Sequence, residues 1–196
     1  MARSSHVKRT TGETDIVLDL IIEGDGKSVV NSGNGFFDHM LTLFSKHGLF
    51  NLTLTCEGDT HVDFHHSAED IGICLGMAFK EALGDCKGIF RYATFYIPMD
   101  ESLVRVCLDI SGRQNLVYNV PLQDRVIGSF ECDLVEDFFK AFTDHSRITL
   151  HVDLLRGRNS HHSVEAVFKA FGKALSQACS INARAANELP TTKGIL

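Results

Sequence analysis

The chain carries HHSAED at residues 65–70 and HHSVEA at 161–166, so His-His-x-x-Glu occurs twice, ninety-six residues apart. In a chain of 196 residues this repeat points to a duplicated half-fold, with no shorter period that would suggest a solenoid. Local patterning agrees. Alternation in TDIVLDLIIEG, a GDG turn and KSVVN predict a strand, a turn and a second strand. GFFDHMLTLFSKHG has apolar residues at helical spacing, and LFNLTLTCEG alternates as a strand. SAEDIGICLGMAFKEALG then reads as a helix stopping at Gly84, with His65 and His66 at its mouth. RYATFYIPM, SLVRVCLDIS and NLVYNV predict three more strands, followed by helix CDLVEDFFKAFTDH, strand RITLHVDLL and helix SVEAVFKAFGKALSQA. The first half is β-β-α-β-α, and so is the second when read from the last two of its three opening strands.

A gapless register between the halves strengthens the duplication. HMLTLFSKH (39–47) aligned on DFFKAFTDH (137–145) matches Phe44 with Phe142 and His47 with His145. The same register sets Asp38 against Glu136 and His39 against Asp137. The expected fold class is α+β by internal duplication, with residues 1–90 and 91–196 as half-repeats of one compact domain.

Several classes of function are disfavoured. A net charge of −6 argues against general binding to nucleic acid or anionic membrane, which requires a basic surface. No apolar run approaches the length of a membrane span, and MARSSHVKRTTGET lacks the apolar core of a signal peptide, so a cytoplasmic location is expected. The six cysteines are scattered without a C-x-x-C and read as reduced core thiols.

The repeated motif carries the chemistry. On a helix, His65 and Glu69 lie four apart on one face, about 5–6 Å apart at Cβ. They suit one metal ion, or one can orient the other. His66 points roughly 100° away, toward a second ion or the other side of a cleft. The same holds for His161, His162 and Glu165. A single copy would be unremarkable as a polar helix cap. Two copies at equivalent positions, with His39 at an upstream helix start, point to metal. Imidazole mixed with carboxylate favours Mn, Fe, Co or Zn over Mg or Ca. The zincin order, a Walker loop and a Gly-x-Ser-x-Gly elbow are all missing from the sequence. Arg91, Arg113, Lys169 and the terminal TTKG (191–194) would together suit a phosphate.

GFFDHML, SKHGLF, GDTHVDFHHSAEDIG, FKEALG, PMDESL, DISGR, LRGRNSHHSVEAVFKAF and PTTKG resemble the imidazoleglycerol-phosphate dehydratases, from about residue 6 to 196. The resemblance implies two similar halves of the ribosomal protein S5 domain 2-like class, each a four-stranded mixed sheet backed by two helices. It implies a hydro-lyase of histidine biosynthesis that removes water from imidazole-glycerol phosphate, giving imidazole-acetol phosphate. It also implies two Mn2+ ions per active site and a homo-24-mer with sites shared between subunits.

On matching positions, the implied metal ligands are His39, His65, His66, Glu69, Asp137, His161, His162 and Glu165. Glu13 is the implied acid/base and substrate contact, accompanied by Glu165 and by His47 lining the pocket. Arg91, Arg113, Lys169, Thr191, Thr192 and Lys193 would hold the phosphate end. The resemblance further implies imidazolate bound between the ions, its electron density expelling the C3 hydroxyl. The chain departs from the family pattern at Asp137, where many members carry histidine, and at Phe64, where an aspartate is common. Two other classes would use the same ligands: a dinuclear metallohydrolase such as a phosphatase, and a metal-binding shell protein without catalysis.

Overall fold

The structure, a computed structural model, describes residues 2–195. Each half opens with an antiparallel hairpin. Ser4–Thr10 (β1) pairs with Thr14–Ile21 (β2), and Tyr92–Met99 (β5) pairs with Ser102–Asp109 (β6). In β2 the side chains of Thr14, Ile16, Leu18 and Leu20 are buried while Asp15 and Asp19 face outward, the period-two pattern of a half-covered sheet. Asn51–Gly58 (β4) then adds antiparallel to β2, and Ser28–Asn31 (β3) lies parallel beside β4, giving the order β1-β2-β4-β3. Thr149–Arg156 (β10) and Asn115–Asn119 (β7) repeat this in the second half, giving β5-β6-β10-β7. Both sheets are mixed and four-stranded, as expected.

Two local expectations need correction. β1 was not foreseen, because Val7 is its only buried apolar side chain and its polar residues mask the alternation. With β1 included, each half reads β-β-β-α-β-α. The GDG turn does not close a hairpin between β2 and β3. It carries the chain across, so that β4 separates the two strands.

The helices are Gly35–Gly48 (α1), His65–Leu83 (α2), Leu134–Ser146 (α3) and Ser160–Cys179 (α4). Asn34 caps α1 by accepting from the Phe36 and Phe37 N–H groups, and Asn159 caps α4 by accepting from His162. The first turns of α2 and α4 carry the histidine pairs, although Phe64, which precedes α2, offers no side-chain cap. A short hairpin, Val126–Ile127 (β8) with Phe130–Glu131 (β9), was not expected from the sequence. Its Phe130 packs 5.3 Å from the ring of Phe36 and 5.5 Å from that of Phe37.

Helices of one half pack on helices of the other. α2 lies against α3, and α4 against α1. At each crossing a glycine removes the side chain that would hold the backbones apart. A Cβ on Gly76 would sit 2.6 Å from the Phe142 carbonyl oxygen, and one on Gly172 would sit 2.5 Å from that of Phe44. These residues are matched pairs in the duplication register. Around the crossings the Phe171 ring lies 5.1 Å from that of Phe44 and 5.0 Å from that of Phe142. Since α1 meets α4 and α3 meets α2, every histidine pair faces a helix from the opposite half. All six cysteines are free thiols, and no helix among the described residues is long and apolar enough to cross a membrane.

Candidate functional site

The α1–α4 crossing brings three of the expected metal ligands to one point. His39 Nε2 stands 2.7 Å and His161 Nε2 3.6 Å from Glu165 Oε1, and ligand atoms of the three residues lie within 4.8 Å of one another. Glu165 is buried, and its second oxygen accepts from Lys169 Nζ at 2.8 Å. Burial pushes the Glu165 carboxyl up, but the hydrogen bonds from Lys169 and His39 outweigh it, and its pKa falls below the usual carboxylate value. The group is therefore ionised at neutral pH. Two imidazole nitrogens facing one carboxylate oxygen make a donor set of the kind that holds a first-row divalent metal.

The α2–α3 crossing is the matching arrangement with a looser outcome. Asp137 Oδ2 lies 3.6 Å from His65 Nδ1, whereas Glu69 Oε2 lies 3.9 Å from Nε2 of the same ring. The two carboxylates flank opposite nitrogens, so His65, Glu69 and Asp137 do not converge as the other three do. Glu69 is half exposed and lacks a counterpart of Lys169, because Ile73 occupies that place in the register.

His66 and His162 turn away from these clusters, their rings at 85° to those of His65 and His161. Each is held through Nδ1: His66 by Asp59 at 3.0 and 3.2 Å, His162 by Glu101 Oε2 at 2.9 Å. These contacts raise the pKa of both imidazoles. Nε2 is thereby left to face outward, with Glu13 Oε1 3.6 Å from that of His66 and Asp100 Oδ2 3.8 Å from that of His162. Asp59, Asp100 and Glu101 were not among the residues singled out from the sequence. Glu13 sits in the β1–β2 turn with its backbone tied: its N–H donates to Thr11 Oγ1, and its carbonyl accepts from the Asp59 N–H. Its carboxylate projects about half exposed. His47 lies farther along α1. Burial, reinforced by the Lys169 and Lys173 charges, lowers its pKa and keeps it neutral at neutral pH.

The residues expected to grip phosphate divide in two. Arg91, Arg113, Thr191, Thr192 and Lys193 line one cavity of about 610 Å³, together with Asp109 and Ser111. Lys169 is not among its lining residues and is paired with Glu165 instead. Arg91 is already heavily engaged. Its fork donates to both Asp109 oxygens at 2.6 and 3.2 Å and to the Pro190 carbonyl at 2.8 Å, so it anchors the chain just before Thr191.

This cavity lies far from His161 and His162 of the same chain. It sits at the Tyr92 and Asp109 ends of β5 and β6, whereas Glu101 and His162 meet at the opposite, turn end. Eight-residue strands place the two about 25 Å apart. Helix α4 gives the same answer. His161 is in its first turn, while Ala178 near its end accepts from the Arg91 N–H, a span of about 26 Å.

Comparisons with known proteins establish the family and the fold. The imidazoleglycerol-phosphate dehydratase family profile matches residues 32–175. The chain is 55% identical over 194 residues to the imidazoleglycerol-phosphate dehydratase of Caldanaerobacter subterraneus subsp. tengcongensis, covering 99% of this chain and 100% of that protein. The Pseudomonas putida F1 protein of that name is 48% identical, with coverages of 99% and 98%. Among solved structures, the Staphylococcus aureus enzyme is 42% identical with a TM-score of 0.83, covering 91% of this chain and 99% of that one. The Pyrococcus furiosus enzyme, solved in complex with (S)-C348, is 34% identical with a TM-score of 0.84, and the coverages are 97% and 100%. With near-complete coverage in both sequence and fold, this chain belongs to the imidazoleglycerol-phosphate dehydratase family.

Proposed function

We propose that the chain is a metal-dependent hydro-lyase that removes water from imidazole-glycerol phosphate in histidine biosynthesis. The observation that carries this reading is the convergence of His39 and His161 on the ionised Glu165, in a chain whose relatives bear the dehydratase name. The donor set fits a divalent ion such as Mn2+. His39, His161 and Glu165 would hold one ion, His65, Glu69 and Asp137 would contribute to another, and His66 and His162 would offer Nε2 to ions on the far side. When bound, such ions supply Lewis-acid polarisation and a template for the imidazole ring.

The elimination breaks the C2–H and C3–O bonds and releases the elements of water. It therefore needs a group that takes a proton from C2 and one that hands a proton to the departing hydroxide. Glu13 suits this work, since its backbone is fixed at both ends and its carboxylate is unencumbered beside His66. Arg113, Lys193 and the Thr191–Thr192 segment, with Arg91 bracing it, would hold the phosphate and fix the reacting carbons by binding remote from them.

A substrate with a glycerol chain between ring and phosphate is far too short to span the 25 Å within one chain. The reading therefore includes an active site shared between subunits, one supplying helix starts and another the phosphate cavity. A closed homo-oligomer such as a 24-mer satisfies that geometry. A cytoplasmic location accords with the biosynthetic role of the relatives.

With Mn2+ added, the chain should convert imidazole-glycerol phosphate to a ketone seen by its enol absorbance. Release of inorganic phosphate in its place would select a metallohydrolase. Glu13→Gln should lower turnover about 10²–10⁴-fold, the range of a lost general acid/base, without changing bound metal. Near-normal turnover in that variant would remove Glu13 from the proton-handling role.

A further inference from the structure

The β1–β2 and β5–β6 turns are equivalent positions of the duplicated fold. Thr14 opens β2 and pairs with Gly58, while Ser102 opens β6 beside Gly157. Thr14 and Ser102 each face the helix that carries a histidine pair: Thr14 Oγ1 donates to Asp70, and Ser102 Oγ lies 3.0 Å from Ser163 Oγ. In that register Glu13 corresponds to Glu101, and Asp59, just after Gly58, corresponds to Arg158, just after Gly157.

The two halves hold the second histidine differently. In the first half the carboxylate at the end of β4, Asp59, takes His66 Nδ1. In the second half that place is Arg158, which has no acceptor to offer, and the hairpin glutamate takes over. Glu101 Oε2 accepts from His162 Nδ1 at 2.9 Å, while Oε1 accepts from the Arg158 and Asn159 N–H groups at 3.2 and 2.8 Å. Asn159 is the cap of α4, so one carboxylate fixes both the ring and the start of the helix that presents it.

We propose that Glu101 is a positioning residue that orients His162 for metal binding, the counterpart of Asp59 at His66, and that this division of labour leaves Glu13 alone among the hairpin glutamates free to move a proton. The inference rests on His162 being a metal ligand. A carboxylate on the distal nitrogen fixes the tautomer and aim of a ligating imidazole and raises its basicity. Glu101 has both oxygens committed. Glu13, its equivalent, keeps its carboxylate at 3.6 Å from His66 Nε2 because Asp59 already holds the other side of that ring.

The test is titration of the metal-free full chain with Mn2+ alone, read by calorimetry and by the Mn2+ electron paramagnetic resonance spectrum. Asp59→Ala and Glu101→Ala should each weaken binding about 10–100-fold, the usual cost of losing such a partner. Glu13→Gln should bind within about threefold of wild type and give its spectrum. Glu101→Gln keeps the volume and an oxygen for the α4 cap. It should still bind about tenfold more weakly with an altered spectrum, because the amide has lost the charge that braces the imidazole. Wild-type affinity and spectrum in Glu101→Gln would overturn the proposal, since support of the loop alone would then explain any defect in Glu101→Ala. Absence of Mn2+ binding by the wild-type chain would instead sink the metal-dependent reading on which the proposal rests.

Discussion

Glu165→Ala is expected to be the most damaging single change at the site, for metal affinity and for stability together. The carboxylate is the shared partner of His39, His161 and Lys169, and its removal takes away the point on which both imidazoles converge. Loss of a partner outside the ligand shell already costs 10–100-fold in affinity, so loss of Glu165, a direct ligand in the proposed site, should weaken Mn2+ binding by more than about 100-fold, with turnover falling alongside it. It also leaves the Lys169 ammonium, only 17% exposed, without its counter-charge. Breaking such a pair costs about 3 kcal/mol, which a denaturant midpoint would show. Glu69→Ala is the informative contrast. Its side chain is 50% exposed and contacts only one histidine. Its stability should therefore stay within about 0.5 kcal/mol of wild type. Equal destabilisation of the two variants would contradict the difference drawn between the convergent and the looser cluster.

Gly76→Ala should produce a clear loss of stability outside the site. The added Cβ would meet the Phe142 carbonyl oxygen at 2.6 Å and the Ser146 nitrogen at 3.0 Å, both backbone atoms that cannot rotate aside. α2 and α3 must separate, at a cost of about 1–3 kcal/mol, the range for overpacking a close-packed interior. The same separation moves Asp137 away from His65, so weaker metal binding should accompany the lower melting temperature. Gly35→Ala is the control: it lies at the start of α1 with open space around its Cβ, and it should leave the melting temperature unchanged. A Gly76→Ala protein as stable as wild type would show that the helices do not depend on that close approach.

Much of this arrangement was legible in the sequence, for particular physical reasons. The periodicity of GFFDHMLTLFSKHG fixes α1 at both ends, since Asn34 caps it and the chain turns left-handed at Leu49. The gapless register set His39 against Asp137, and the fold places each opposite a His-His-x-x-Glu helix from the other half. The crossed helix pairing was not legible, because periodicity identifies a buried face without saying which helix covers it. β1 escaped because its inward face is nearly devoid of apolar residues, and this had a consequence at the site. Without β1, the TTGE turn could not be matched to the MDES turn, so Glu101 was passed over beside its equivalent, Glu13. Lys169 pairs with Glu165 in the structure. Its spacing of four from Glu165 predicts the observed ion pair at least as well as a phosphate contact. The separation of the cavity lined by Arg91, Arg113 and Lys193 from His161 and His162 depends on the lengths of β5, β6 and α4 running the same way, which no motif encodes.

The central claim, that one chain supplies the metal ligands and another the phosphate grip, is tested most directly by subunit complementation. Glu165→Ala disables the first half of such a site, and Arg113→Glu reverses a charge in the second. Each variant alone should be inactive with Mn2+ and imidazole-glycerol phosphate. Co-expressed in equal amounts, they should form mixed assemblies in which about one quarter of the sites combine two intact halves, as random mixing in a symmetric oligomer requires. Recovery of about that fraction of wild-type turnover is the predicted result. A mixed assembly as inactive as its parents would contradict the account and place the whole site within a single chain.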